Sequence, residues 1–490
     1  MFRKKFEQHL NKKSKSDYAS IEPFINKEIE AAPKRQFPFV ALIPAGAFVL
    51  AVAIALPIAL PRFLQSKDLA TTVFIDGDIK ELTAPKKPFN EQATPSNENY
   101  LQSLTTFSAK LGSYAAEEGE NFVASPLSIA TAFSMVYEGA DKDTKQELAN
   151  LLAYDGSFEA KDAIHNMLLA TSIDYKDKEG QRAFLDVSDA LFVDDRYRDK
   201  MKKDYLDTLE KDYFAESYAG ELKSEKMHEL LATWINDKTN DFFGLKGEDF
   251  KQMEGVSWLV NSIYLKAAWI SSFQELPSPK EFHNETGTTS SRKYLNSFVE
   301  DSYGYATDSF LVGDIGLDGG LRLRIIDKKE SCEDPFSPDA SFADKEQFYY
   351  QALLNPEQYL QNNKKTERED YNISIEIPSF KVTSNINLLE LFKVKGELNK
   401  SITPYVADFS PMAEGALENG LHMSKAIHSA GIDLNKDGIE AAAYTIIEMK
   451  DESIGAYKLM DLKLDHPFHY AILDRYEHPL FIGRVADLSK

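Results

Sequence analysis

Residues 430 to 449, AGIDLNKDGIEAAAYTIIEM, set Asp433, Asn435 and Asp437 at alternate positions and follow them with Gly438. Carboxylate and amide oxygens at that spacing can wrap a calcium ion, and a glycine supplies the sharp turn such a loop needs. The twelfth position of a loop begun at Asp433 is Tyr444, where a bidentate carboxylate is required and a phenol cannot stand in for one at neutral pH. The segment before it, KAIHSAGIDL, reads as strand and not as helix. From Gly438 onward the same residues form a small-residue hinge followed by an alternating apolar strand, and no metal is expected.

The other chemistry-bearing residues are scattered. The nine histidines give no His-Glu-x-x-His pair and no zinc spacing. His466 and His469 lie three apart in a strand-like run, which points them to opposite faces. The single cysteine, Cys332, has no partner for a disulfide or a thiolate metal site. No Gly-x-Ser-x-Gly elbow, phosphate-cradling loop or dinucleotide fingerprint occurs. A triad assembled only in space would escape such a scan, because triads are defined by geometry and not by chain order. The sequence thus names no catalytic residue and no cofactor.

A chain of 490 residues with 43% hydrophobic residues can bury a large core. The net charge of −22, from 78 acidic and 56 basic residues, argues against a nucleic-acid surface, which needs clustered Lys and Arg. Residues 37–61, FPFVALIPAGAFVLAVAIALPIALP, carry no charged side chain and exceed the roughly 20 residues that span a bilayer as a helix. A cleaved signal peptide fits less well, since its basic region would be about 36 residues long and its apolar run too long. Nine Lys and Arg precede the span and five follow it over a comparable length. The expectation is a single-pass plasma-membrane protein with a basic cytoplasmic tail (1–36), a transmembrane helix (37–61), an extracellular linker (62–98) and an extracellular domain (99–490).

The domain mixes elements without strict alternation, which predicts an α+β fold. NYLQSLTTFSAKLGSYAAEE places Leu101, Leu104, Phe107, Ser108 and Leu111 on one helical face. A second helix opens at Ser125 as cap with Pro126 at its first position. Strand-like runs recur at 184–193, 257–269, 373–382 and 468–473. The charged stretch 327–347 reads as a solvated insertion without chemistry.

Four stretches in order resemble the serpin family of protease inhibitors: NFVASPLSIATAFSMVYEGADKDT, LATWINDKTN with Trp234 and Asn236, LVNSIYLKAAW with Asn261, and LDHPFHYAILDRYEHPLFIGRV. The resemblance spans nearly everything from Asn99 to Lys490 and is poor over 301–372. It implies three β-sheets surrounded by about eight to nine helices with an exposed reactive loop, here preceded by one transmembrane helix. It further implies a monomeric suicide inhibitor of a serine, or also a cysteine, endopeptidase, held as a covalent acyl complex, from a prokaryotic source. The alternative is a non-inhibitory serpin acting as a surface binding or structural protein.

By this resemblance the loop hinge is Gly438, Ile439, Glu440, Ala441, Ala442 and Ala443, and a gate beneath the main sheet comprises Ser125, Ser128, Asn261 and His428. The scissile bond falls at Glu452–Ser453 counting forward from the hinge, or at Ala456–Tyr457 counting back from Pro467. A loop that inserts into a sheet must alternate. One set, Ile439, Ala441, Ala443, Thr445, Ile447 and Met449, is apolar or small, while Glu440, Ala442, Tyr444, Ile446 and Glu448 suit a solvated face. The chain departs from the family pattern at Lys436, Ile439, Ala267 and His469.

Overall fold

The helix Pro126–Glu138 begins where the sequence places it: the Ser125 side chain accepts from the Ser128 amide at 3.2 Å, and Pro126 takes the first helical position, where its missing N–H has no partner to lose. Leu127, Ile129, Ala130, Phe133 and Met135 are all buried along it. It is a core helix, covered on every side by other elements. The amphipathic helix Glu98–Ala115 buries Leu104, Phe107, Ser108 and Leu111 against it.

This computed structural model describes residues 79–89, 97–178, 180–253, 255–329, 335–360, 368–439 and 458–489. The chain divides into two units, Met1–Ser66 and Lys67–Lys490. The basic tail, the expected membrane segment 37–61 and the linker up to residue 78 lie outside the described residues. Among the described residues no helix is long and apolar enough to cross a membrane.

Nine α-helices surround three sheets among the described residues. Strands are numbered in chain order. The first sheet runs β1 (Lys80–Thr83), β5 (Glu216–Gly220), β4 (Gln181–Asp194), β6 (Ser257–Ala268), β16 (Gly438–Ile439), β15 (Ile427–Asn435) and β14 (Phe380–Asn387), with β3 (Ile173–Lys176) paired to β4. The second runs β17 (Lys458–Lys463), β13 (Glu369–Pro378), β10 (Tyr294–Ala306), β11 (Phe310–Leu317), β12 (Leu321–Lys328), β18 (Phe468–Leu473), β19 (Pro479–Val485) and β2 (Phe122–Ala124), with β7 (Gln274–Glu275) on β10. A small hairpin joins β8 (Lys280–His283) to β9 (Thr289–Arg292).

The strand-like runs map onto β4, β6 and β18, and one of them divides. The run 373–382 belongs to two sheets: β13 ends at Pro378, and β14 begins at Phe380 in the other sheet. Pro378 cannot donate to a further ladder bond. The poorly matching region 301–372 builds β11, β12 and the first four residues of β13. Residues 80–83, read as linker, form an edge strand on β5, and Lys87 beyond them pairs with Asp186 of β4 at 2.5 Å.

The stretch 327–347, expected to be solvated throughout, ends in the first turns of the helix Phe342–Leu354, which carries Glu346 into the core at 2% exposure. Glu346 meets His469 Nε2 at 2.9 Å, with the Tyr349 ring stacked on the imidazole at 4.3 Å between centroids. Buried Arg484 lies 3.8 Å away and pairs with Glu285 at 2.5 Å. Burial alone would raise the Glu346 carboxyl, but His469 and Arg484 hold it below its usual value. The polar residue in β18 is thus matched by a carboxylate from the facing helix, and His466 pairs separately with Asp327 and Asp465.

Removing one member of such a buried set leaves a charge without its partner. Glu346→Gln is expected to lower unfolding stability by about 3 kcal/mol in denaturant titration, and Glu346→Leu combined with His469→Leu to recover most of that loss.

Candidate functional site

The first sheet is interrupted at its centre. Strand β16 is two residues long and is wedged at one end between β6 and β15, antiparallel to both. Gly438 faces Ala268 and Asn435, and Ile439 faces Ala267 and Leu434. Beyond Ile439, among the described residues, no ladder joins β6 to β15, although β6 continues down to Ser257 and β15 up the chain to Ile427. Two cavities follow this gap. One is lined by Ile263, Leu265, Ala430, Ile432 and Ile439, the other by Ser128, Leu259, Asn261, His428, Phe133 and Met412.

The turn that delivers β16 accounts for the calcium-like spacing. The Asp437 amide donates to Asn435 Oδ1 at 3.0 Å, Asn435 Nδ2 donates to Asp433 Oδ1 at 3.3 Å, and Trp269 Nε1 donates to the Asn435 carbonyl at 2.9 Å. These are the side-chain bonds of a tight turn, which Asn and Asp favour. Among the described residues no cluster of three or more metal-ligating side chains occurs. Gly438 has φ +140°, and a Cβ there would strike the Ala267 carbonyl and come within 2.8 Å of Ala268 Cα. Only glycine brings the backbone this close to β6. Ile439 is 3% exposed, its side chain in the core beneath the sheet.

The four gate residues taken from the sequence come together under the gap. The Ser125 amide donates to His428 Nε2 at 3.0 Å, and Ser128 Oγ donates to Asn261 Oδ1. A fifth residue, Asp189 of β4, completes the row: Asn261 Nδ2 donates to its Oδ1 at 2.7 Å. Asp189 was not singled out from sequence, yet it left a signal. Leu185, Val187, Asp189, Leu191 and Val193 form one alternating set, all buried, with a single carboxylate among apolar side chains.

Burial shapes the protonation of both ends of this row. It pushes the His428 imidazole down to about 4, so the ring is neutral near pH 7, with Nε2 as acceptor and the proton on Nδ1. Burial pushes the Asp189 carboxyl up to about 7, against the opposing hydrogen bond from Asn261 and the charge of Lys87.

The remaining hinge residues Glu440, Ala441, Ala442 and Ala443 lie outside the described residues, as do Glu452, Ser453, Ala456 and Tyr457.

The family described as Serpin (serine protease inhibitor) matches residues 102–488. The chain belongs to the serpin family. It is 25% identical over 389 residues to an uncharacterized serpin-like protein of Methanosarcina acetivorans, covering 75% of this chain and 81% of the relative. It is 23% identical over 410 residues to intracellular coagulation inhibitor 2 of Tachypleus tridentatus, covering 82% and 94%, and 26% identical over 399 residues to human antithrombin-III, covering 78% and 80%. Among solved structures it is similar in fold to tengpin, a thermophilic serpin in its native state, with a TM-score of 0.64 and 19% identity over 84% of this chain and 100% of that one.

The close approach at Gly438 generates a direct test on this serpin. Gly438→Ala is expected to drive Gly438 and Ile439 out of the sheet at a cost of about 2 kcal/mol. Native-state hydrogen exchange reads this as faster exchange at Ile439 and Leu434, and Trp269 fluorescence as loss of the indole bond to Asn435.

Proposed function

We propose that this serpin inhibits a serine-type endopeptidase, and also cysteine endopeptidases, as a suicide substrate whose cleaved loop enters the first sheet between β6 and β15. The observation that carries the reading is the seated pair Gly438–Ile439 at the head of a gap that continues along both strands. An added strand would satisfy the backbone groups of both gap edges.

Continuing the register of that pair tests the fit. An inserted Ala441 would fall between Leu265 and Ile432, and Ala443 between Ile263 and Ala430, on the core face with Ile439. Thr445, a hydroxyl in an otherwise apolar or small set, would fall between Asn261 and His428. Ile447 would lie between Leu259 and Ala426, beside the lower cavity where Phe133 and Met412 also line the wall. On the opposite face Glu440 would lie between Lys266, an opposite charge, and Asp433, a like one, and Tyr444 between Ser262 and Ser429, two small residues with room for a ring. Ile439, the bulky residue at a position where the family has Thr or Ser, already occupies a buried slot.

In this reading the reactive bond is Glu452–Ser453, with Ala456–Tyr457 as the alternative, and a monomeric domain is tethered outside the plasma membrane by residues 37–61 with the N-terminus in the cytoplasm. The competing reading is a surface binding or structural protein that keeps the fold without the trap, which the departures at Lys436 and Ile439 favour.

Incubating the full chain with a panel of serine and cysteine endopeptidases distinguishes them. A covalent complex that survives denaturing electrophoresis is expected, with mass spectrometry of the released C-terminal fragment giving the bond. Loop cleavage with no complex, from every protease that cuts it, would establish the binding protein instead.

A further inference from the structure

The helix Pro126–Glu138 is bonded to both sides of the gap, to β15 through the Ser125 amide and His428 and to β6 through Ser128 and Asn261. Strand β6 cannot move away from β15 without breaking the second bond. That bond depends on how the Asn261 amide is turned: its Oδ1 faces Ser128 only because its Nδ2 is held by Asp189 Oδ1 at 2.7 Å. The other carboxylate oxygen, Asp189 Oδ2, is buried and has no hydrogen-bond partner among the described residues, in a residue 1% exposed. A structural carboxylate in a core ordinarily has both oxygens satisfied. This one accepts on one side and has an open oxygen on the other.

We propose that Asp189 is the positioning residue of the gate, holding Asn261 against Ser128 while ionised and releasing it when a proton binds at Oδ2, so that loop entry between β6 and β15 is faster in the protonated state. The inference rests on the insertion reading above. The physical step is small. Ionised, Asp189 accepts a charge-assisted hydrogen bond from Asn261; protonated, Oδ1 becomes a neutral carbonyl oxygen, and the bond weakens. Asn261 then turns more freely, and Ser128 loses its fixed acceptor.

The surroundings are consistent with a proton at this position near neutrality. Asn261 of β6 donates to Asp189, Ser128 of the core helix bonds the far side of that amide, and His428 stands beyond the gap on β15, kept neutral by burial. Asp186 and Lys87 act on it from the other side of β4, where they pair with each other at 2.5 Å. Glu216 of β5, beside Ala190, accepts from Trp234 Nε1 and pairs with Lys238 at 2.7 Å. Among the described residues no side chain bonds the open oxygen.

The test does not require the target protease. The loop of the full chain is nicked by a non-cognate protease that cuts within 440–457, and insertion is followed as the rate at which resistance to denaturant is gained, from about pH 5.5 to about pH 8.5. The expected rate rises about tenfold toward acid with a midpoint near 7. Asp189→Asn, which keeps the shape and a neutral acceptor, is expected to give a flat profile near the acid-limit rate. His428→Gln is expected to keep the slope, because His428 is neutral throughout that range. A flat wild-type profile, or a slope that survives in Asp189→Asn, overturns the proposal. A nicked chain that gains no resistance at any pH overturns the insertion reading and this inference with it. If Asp189→Asn does not accumulate as folded protein, the wild-type and His428→Gln profiles decide: loss of the slope in His428→Gln assigns the proton to His428 and overturns the proposal.

Discussion

The bonds from the buried helix Pro126–Glu138 to the two facing strands β6 and β15 hold the centre of this structure together. Ser125 reaches His428 on one side and Ser128 reaches Asn261 on the other, so the two edges of the gap are tied to a third element where, among the described residues, no ladder joins them. The helix is packed on all sides and cannot tilt to relieve a lost bond. Each buried group left unpaired would cost about 1–3 kcal/mol, so these bonds resist widening of the gap.

That constraint explains why two residues suffice to set a whole register. Gly438 passes close to the backbone of β6, and Ile439 anchors in the core immediately after. Side chains alternate in a strand, so this seating assigns every later residue of the same chain a face before it arrives. A slip of one residue would send Glu440 to the slot next to Leu265 and Ile432, which the cost of burying an unpaired charge forbids.

Polar groups elsewhere in the core follow the same rule of paired burial. His469, in a strand where every residue is buried, is matched by Glu346 from the helix above it, and Lys87 reaches from an N-terminal segment to Asp186 on the outer face of the first sheet. In both cases the two partners are more than a hundred residues or nearly a hundred residues apart in sequence, 123 for Glu346 and His469 and 99 for Lys87 and Asp186, and one of them sits in a stretch that reads as polar connector. Composition gave no reason to bury either.

Local pattern alone determined much of this protein. The Ser125 cap with Pro126, the alternation of β4 and β6 and the tight glycine turn at 438 were legible, because each rests on backbone geometry within a few residues. So was the grouping of Ser125, Ser128, Asn261 and His428, through resemblance over the whole domain. Only the tertiary structure decided that Asp189 joins them, that the run 373–382 splits between two sheets at Pro378, and that Glu346 is a core residue. These depend on which strands lie side by side. A charge in an apolar alternating set signals that something must be paired, and only the folded chain supplies the partner.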